Sequence, residues 1–227
     1  MVREFTIFGE RCSGTNFLQK VIEDSFQLPY TDAYGWKHGI GWEANIIPDD
    51  VLVLGIIRNP YDWFASLYET PHHLAAHLKQ DWISFLTFEV CSMKGFWQEN
   101  AFTTEIMEDR NPNTGQRFGD LLLLRQWKLE YLLAELPQKS RTFYLFKYED
   151  LRASLERTVL DMCSQLGLKE PLWIKTISDR IGPEEKMYGK FQARRRLLPA
   201  LVKEYLDHHL DWSTEARAGY FPSRTLT

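Results

Sequence analysis

Cysteine is scarce in this chain, which has only three in 227 residues: Cys12, Cys91 and Cys163. They are odd in number and far apart, and no C-x-x-C pair is present. A disulfide framework or a structural zinc site is therefore not expected. This usage is typical of a reducing compartment, and we expect a cytoplasmic protein.

Long apolar runs and an excess of one charge are also missing. No stretch reaches about 18 apolar residues, so we expect no membrane-spanning helix. Residues 1–5 lack the basic segment and the long apolar segment of a secretory signal. The net charge is −4, which gives no general attraction to nucleic acid, so we expect no nucleic-acid partner. Any anion site has to be built locally.

The composition is that of an ordinary globular protein, with 44% hydrophobic and 26% charged residues. A chain of this length fits one domain, which we place at residues 1–227. Apolar patterning predicts strands alternating with helices. The predicted strands are 5–8, 51–57 and 142–146, the helices are 16–26, 60–68, 81–90, 121–136, 151–166 and 198–210, and the loops include 110–119 and 182–189.

This alternation predicts an α/β fold: a three-layer sandwich in which helices cover both faces of a central parallel sheet. Ligands of such sheets bind at the carboxyl ends of the strands. Two conspicuous segments each follow a predicted strand, and both are therefore candidates to face one site.

The first segment, GERCSGTN at residues 9–16, has the pattern of a P-loop-like phosphate-binding loop. Gly9 and Gly14 have the expected spacing, and the loop precedes a helix whose N-terminus favours an anion. Ser13 and Thr15 add hydroxyl donors. Thr15 stands where nucleotide triphosphatases carry a lysine, which argues against ATP or GTP hydrolysis.

The second segment, RNPYDWFAS at residues 58–66, begins where the second strand ends. An arginine at this place can bind a phosphate through two N–H groups. Ser66 lies two helical turns further on and could donate to the same oxygens. The alternative is that Arg58 pairs with Asp62 and that Ser66 is simply buried.

The combination of these two segments resembles the family of sulfotransferases that use 3′-phosphoadenosine 5′-phosphosulfate (PAPS). The segment FKYEDL at residues 146–151 and the segment EARAGY at residues 215–220 are also similar to the family. The resemblance implies sulfuryl transfer from PAPS as co-substrate, without a metal. It assigns the 5′-phosphosulfate to Ser13, Gly14, Thr15 and Asn16, and the 3′-phosphate to Arg58 and Ser66.

One position of the first segment departs from the family pattern. Many members carry lysine or arginine directly before S-G-T, whereas this chain has Cys12 there and Arg11 one residue earlier. Both belong to the predicted cofactor-binding loop. The residue whose positive charge stabilises the oxygen between the phosphate and the sulfuryl group is therefore not determined, and Arg11 and Lys37 are the candidates.

Trp36-Lys37-His38 lies between the two segments, where the family has a strand that bears its catalytic base. Histidine can accept the proton that an acceptor loses at neutral pH. We therefore expect His38 as the base, with Lys37 or Arg11 as the catalytic cation. The alternatives are a surface Lys-His pair and Glu10 as the base.

A basic segment near the C-terminus resembles the loop that the family closes over the nucleotide. Its candidate residues are Lys186, Lys190 and Arg194, and the alternative is a solvated charged loop.

A metal site is suggested by two groups, His72, His73 and His77 on one side and Asp207-His208-His209 on the other. His73 and His77 have i,i+4 spacing but lack the acidic partner of an H-E-x-x-H motif. We therefore expect solvated or acceptor-facing histidines and predict no metal site.

The sequence therefore predicts a sulfotransferase acting on a hydroxyl or amine. A phosphotransferase that uses the same loop and a non-catalytic nucleotide-binding protein are the alternatives. The acceptor, a small molecule or a saccharide, is expected to contact residues 69–118. The sequence does not rank the acceptor classes and carries no signal for an oligomeric state.

Overall fold

A computed structural model of the chain describes residues 2–44, 46–74, 81–94, 104–177, 179–181, 187–190 and 198–223, with the backbone alone for 179–181 and 187–190. The strands are β1 Glu4–Gly9, β2 Val51–Ile57, β3 Met93–Lys94, β4 Thr104–Glu105, β5 Phe143–Lys147, β6 Asp179–Ile181 and β7 Met187–Lys190. The helices are α1 Thr15–Phe26, α2 Pro60–Glu69, α3 Trp82–Thr87, α4 Leu121–Ala134, α5 Leu136–Lys139, α6 Tyr148–Ala153, α7 Leu155–Leu166, α8 Ala200–His209 and α9 Trp212–Arg217, with a 3-10 turn at Met107–Asp109.

The centre of the fold is a parallel sheet with the strand order β1-β2-β5. Strand β2 lies in the middle, and its sequence VLVLGII is buried along its whole length, as expected for a strand covered on both faces. The register pairs Gly9 with Ile56 and Ile57 with Lys147. The carboxyl ends of β1 and β2 are therefore adjacent at the same end of the sheet.

Alternate residues of β2 enter two different cores. Leu52 and Leu54 pack with residues of α1 and α7, whereas Val51 and Val53 pack with residues of α4. Helices thus cover both faces of the sheet. The prediction of an α/β fold with a central parallel sheet is confirmed. A third apolar core joins α2, α3, α4 and α8.

The chain between α1 and β2 runs along the edge of β1 that does not face β2. The Phe5 N–H donates to the Pro29 carbonyl at 3.0 Å, and the Thr31 N–H donates to the Phe5 carbonyl at 2.9 Å. Further on, the Gly9 N–H donates to the Lys37 carbonyl at 2.9 Å. This path brings Lys37 to the end of β1.

Several predicted helices differ from the observed ones. The helix predicted at 81–90 is the shorter α3, which begins where the Asp81 carboxylate accepts the Ser84 N–H. The helix predicted at 121–136 ends at Ala134, and the following proline lies in the first turn of α5, where a missing N–H costs nothing. The helix predicted at 151–166 is two helices, which meet at Ser154, whose φ of −154° and ψ of 78° lie outside the helical region.

The C-terminal part also departs from the prediction. Residues 187–189, predicted as loop, belong to β7, which pairs with β6 in an antiparallel ladder. The predicted helix at 198–210 is α8. Helix α9 was not expected from the periodicity because it is a short element, held at its start by the Asp211 carboxylate, which accepts the N–H groups of Ser213 and Thr214. Within the described residues, no helix has the length and apolarity needed to cross a membrane.

A buried ion pair links helix α9 to helix α4. Arg125 donates from Nε and Nη2 to the two carboxylate oxygens of Glu215, at 2.5 and 2.8 Å. The two side chains are 4% and 3% exposed. Removing one partner of such a pair leaves an uncompensated buried charge.

We therefore predict that Glu215→Ala lowers the free energy of unfolding by about 3–5 kcal/mol. The control is Asp50→Ala, which breaks the exposed Arg3–Asp50 pair and should lower it by less than about 1 kcal/mol. Urea denaturation measures both. Equal losses in the two variants would contradict the structural role of the buried pair.

Candidate active site

The loop that joins β1 to α1, residues 9–14 including the last residue of β1, has an unusual backbone. Cys12 has a φ of 63° and Gly14 a φ of 100°, so both lie in the left-handed region that favours glycine. Gly14 precedes the first turn of α1, and no side chain caps that turn. The first N–H groups of a helix have no intrahelical partner, and an anion can satisfy them.

Close packing explains both glycines of this loop. A Cβ on Gly14 would lie 2.5 Å from the Tyr148 ring, and a Cβ on Gly9 would lie 2.7 Å from the Ile56 carbonyl oxygen. Ser13 turns inward, and its hydroxyl donates to the Glu10 carbonyl at 2.5 Å. The two glycines are therefore required by the neighbouring strand and helix, and the Ser13 hydroxyl is already used within the loop.

Arg58 follows the end of β2 and contacts the loop directly. Its Nη1 donates to the Cys12 carbonyl at 2.9 Å, and its guanidinium lies 4.6 Å from the centre of the Tyr148 ring. Its Nε is buried and has no hydrogen-bond partner among the described residues. Asp62, the alternative partner, lies exposed on α2.

Lys37 and His38 both contact the same region. Lys37 Nζ donates to Asn16 Oδ1 at 2.5 Å, which places the ammonium at the first turn of α1. His38 Nδ1 lies 2.6 Å from the Gly9 carbonyl oxygen. The two residues lie in a turn and not in a regular strand. Neighbours in a strand would point to opposite faces, so the turn is what allows both to reach the loop.

The protonation of His38 follows from its surroundings. Burial lowers its pKa well below the ordinary value, and the charges of Lys37 and Arg11 lower it further, against the hydrogen bond to Gly9. The ring is therefore neutral at pH 7. Because a carbonyl only accepts, Nδ1 carries the hydrogen and Nε2 keeps the lone pair that can take up a proton.

Arg11 points away from the loop into the protein. Its Nη1 lies 2.7 Å from Asp109 Oδ2 and 3.0 Å from Ser92 Oγ. Lys128 Nζ lies 2.7 Å from Asp109 Oδ1 and 3.1 Å from Glu10 Oε1. We call Glu10, Arg11, Asp109 and Lys128 the buried charge cluster; each of its side chains is at most 9% exposed.

The charge cluster determines the state of its central carboxylate. Burial alone would raise the pKa of Asp109, but the charges of Arg11 and Lys128 outweigh burial and hold that pKa well below its usual range. Lys128 Nζ also donates to the His38 carbonyl at 3.0 Å. The cluster thus connects the loop, the 3-10 turn, helix α4 and the turn that carries His38.

The other predicted residues lie as follows. Thr15 is buried in the first turn of α1, and Ser66 is buried on α2. Lys190 belongs to β7, of which the backbone alone is described. Lys186 and Arg194 lie outside the described residues.

Sequence analysis did not identify Asp109, Lys128 or Tyr148 as part of this region. Lys128 carried a usable signal, because it stands with Arg125 among the leucines of a helix otherwise suited to the core. Charged residues on such a face are normally paired. Tyr148 lies in the segment FKYEDL, and Asp109 lies in the segment 69–118 that is expected to contact the acceptor, but neither pattern predicts that the residue is near the loop.

Within the described parts of the chain, no group of three or more His, Cys, Asp or Glu side chains is arranged to hold a metal ion. Comparison of the chain with protein-family models, with curated proteins and with solved structures found no match.

The lowered pKa of His38 predicts a pH-dependent contribution to stability. As the pH falls through the ordinary value near 6.5, the unfolded chain takes up a proton at this histidine while folded His38 does not. The contribution is complete above that pH and is lost as the pH falls. Replacing His38 by Asn keeps a donor near the Nδ1 position and removes the titration.

We expect His38→Asn to lower the slope of the unfolding free energy against pH by at most about 1.4 kcal/mol per pH unit. Urea denaturation of both proteins from about pH 7.5 to about pH 5.5 measures that slope. His208→Asn, on the exposed side of α8, is the control and should leave the slope unchanged. Identical slopes in wild type and His38→Asn would contradict the assigned state of His38.

Proposed function

We propose that this chain is a sulfotransferase that transfers the sulfuryl group of PAPS to a hydroxyl or amine of an acceptor. The observation that supports this proposal is that three side chains contact residues 9–16, the loop and the start of α1. Arg58 contacts Cys12, His38 contacts Gly9, and Lys37 contacts Asn16 at the start of α1. Lys37 and His38 are neighbours, but they and Arg58 are distant in the sequence from the loop, and each carries a group that the reaction requires.

The residues present fit a nucleotide that carries phosphate groups at both the 5′ and the 3′ position of its ribose. The uncapped first turn of α1 and the Lys37 ammonium suit the 5′-phosphosulfate. The buried Nε of Arg58, which lacks a partner among the described residues, suits the 3′-phosphate, because a guanidinium binds phosphate through parallel N–H groups. Ser66 is the proposed second donor to that phosphate.

When bound, PAPS would supply an activated sulfuryl group whose leaving group is a phosphate oxygen. His38 Nε2 takes the proton of the acceptor as the acceptor oxygen or nitrogen bonds to sulfur and the bond from sulfur to the phosphate oxygen breaks. Lys37 stabilises the negative charge that develops on that oxygen. The hydrogen bond to Gly9 holds the ring so that Nε2 remains the basic atom.

Of the two candidate cations, the contacts favour Lys37 over Arg11. Arg11 is 2% exposed and is paired with Asp109 inside the charge cluster, so moving it to the donor would separate a buried ion pair. Lys37 already lies at the first turn of α1 and is partly exposed. Glu10, the alternative base, belongs to the same cluster and is paired with Lys128.

The first test is the choice of nucleotide. Adenosine 3′,5′-bisphosphate should bind more tightly than AMP, and Arg58→Ala should weaken the bisphosphate by about ten- to a hundredfold, because one charge-assisted contact is worth about 1.5–3 kcal/mol. AMP affinity should change little. Titration calorimetry measures each affinity.

Arg141→Ala, which removes an arginine whose side chain is 86% exposed, is the matched control and should bind both nucleotides as wild type does. Equal affinities for the bisphosphate and AMP would overturn the assignment of Arg58. Tight magnesium-dependent binding of ATP, together with weak binding of the bisphosphate, would favour a phosphotransferase instead.

The second test distinguishes the base, His38, from the cation, Lys37, by measuring the rate of sulfuryl transfer in a single turnover. His38→Gln should lower the rate about 10²–10⁴-fold, because it removes proton transfer, with unchanged affinity for the bisphosphate. Lys37→Met should lower the rate by weakening the stabilisation of the transition state. Wild-type rates in His38→Gln would remove His38 as the base.

A further inference from the structure

A second imidazole lies beside the proposed base and has no role in the mechanism above. The ring centre of Trp36 lies 5.1 Å from that of His38 and 6.0 Å from that of His73. Both imidazoles stand nearly perpendicular to the indole, at 88° and 79°. One indole therefore contacts both histidines.

His73 is fixed in a conformation that few residues adopt. Its φ is 64°, in the left-handed region where a residue other than glycine is uncommon. The Met93 N–H donates to the His73 carbonyl at 2.8 Å, and His73 Nδ1 lies 3.2 Å from the Met93 carbonyl oxygen. Met93 thus holds both the backbone and the side chain of His73, and a residue held in such a strained conformation is a candidate functional residue.

The contact to Met93 also determines which nitrogen of His73 is available. A carbonyl only accepts, so Nδ1 donates and Nε2 keeps its lone pair. Burial lowers the pKa of His73, and the charge of Arg11 lowers it further, against the hydrogen bond to Met93. His73 is therefore neutral at pH 7, and its Nε2 is a hydrogen-bond acceptor, as in His38.

The chain around His73 also reaches the loop that contains the proposed donor site. Cys12 Sγ lies 3.7 Å from the Thr70 carbonyl oxygen, so residues 70–73 adjoin the loop next to His38. The partly exposed residues of this region include Cys12, Trp36, His38, Thr70 and His73.

We propose that Trp36 and His73 form the acceptor-binding side of the site, where His73 Nε2 accepts a hydrogen bond from a second donor group of the acceptor, distinct from the one that attacks. This inference rests on the proposed sulfotransferase function. It makes His73 a specificity-determining residue.

The chemistry of the two imidazoles then defines the acceptor class. Each neutral ring offers Nε2 as an acceptor, so the ligand must present two donors. One is the hydroxyl or amine that receives the sulfuryl group through His38. The other is a second hydroxyl or amine that donates to His73. A polyol, a saccharide or an amino alcohol meets this requirement, whereas a phenol with one hydroxyl does not.

The test supplies radiolabelled PAPS with two acceptor pools. One pool contains polyols, saccharides and amino alcohols, and the other contains phenols and alcohols with a single hydroxyl. We expect labelled product from the first pool alone. Using the best acceptor of that pool, we expect His73→Asn to raise the acceptor KM about tenfold, with kcat within a few-fold of wild type.

The variants separate a binding role from a structural one. Asn tolerates the left-handed region and can keep the hydrogen bond to Met93, but it has no atom at the Nε2 position. Gln places an amide near Nε2, so His73→Gln should recover most of the KM. A merely structural His73 would show the opposite order. His208→Asn is the matched control and should keep the wild-type KM.

The outcomes distinguish this inference from the proposed function. Label in the pool of single hydroxyls, with loss of transfer in His38→Gln, would leave a sulfotransferase and overturn the acceptor class. A wild-type KM in His73→Asn would overturn the role of His73. Absence of label from both pools would overturn the proposed function and this inference with it.

Discussion

The site depends on the pairing of charges in a place that water does not reach. Arg11 and Lys128 share Asp109, and Lys128 also contacts Glu10. Breaking such a buried arrangement at one member leaves a charge without compensation, which typically costs about 3–5 kcal/mol. Because Glu10 and Arg11 belong to the loop, the loop cannot change its path without separating these charges. The buried charge cluster therefore fixes the path of the loop through Glu10 and Arg11.

The same arrangement orients the residues that are proposed for catalysis. Lys128 holds the His38 carbonyl, and Gly9 holds the ring, so both the backbone and the imidazole of His38 are oriented by groups tied to the cluster. Arg58 joins this assembly through the Cys12 carbonyl. An imidazole, an ammonium group and a guanidinium thus lie around the loop and the start of α1, where the helix favours an anion.

Sequence patterns predicted the α/β class, the parallel sheet and the two loops at the ends of β1 and β2. Apolar runs and glycine spacing are local signals, and β2 in particular is buried along its length. The direction of Arg11 was not predictable in this way, because it is set by Asp109, far along the chain. The turn at Lys37 and His38 and the break at Ser154 likewise depend on tertiary packing, as does the short helix α9. The sulfotransferase resemblance stays a prediction.

The most direct test of the central claim is stoichiometric sulfuryl transfer from radiolabelled PAPS to a metabolite extract. The account predicts that adenosine 3′,5′-bisphosphate and a sulfated product form in equal amounts. It also predicts that Arg58→Ala reduces both together at limiting PAPS. Release of free sulfate without a sulfated product, or the same transfer in wild type and Arg58→Ala, would contradict the claim that this loop positions PAPS for transfer.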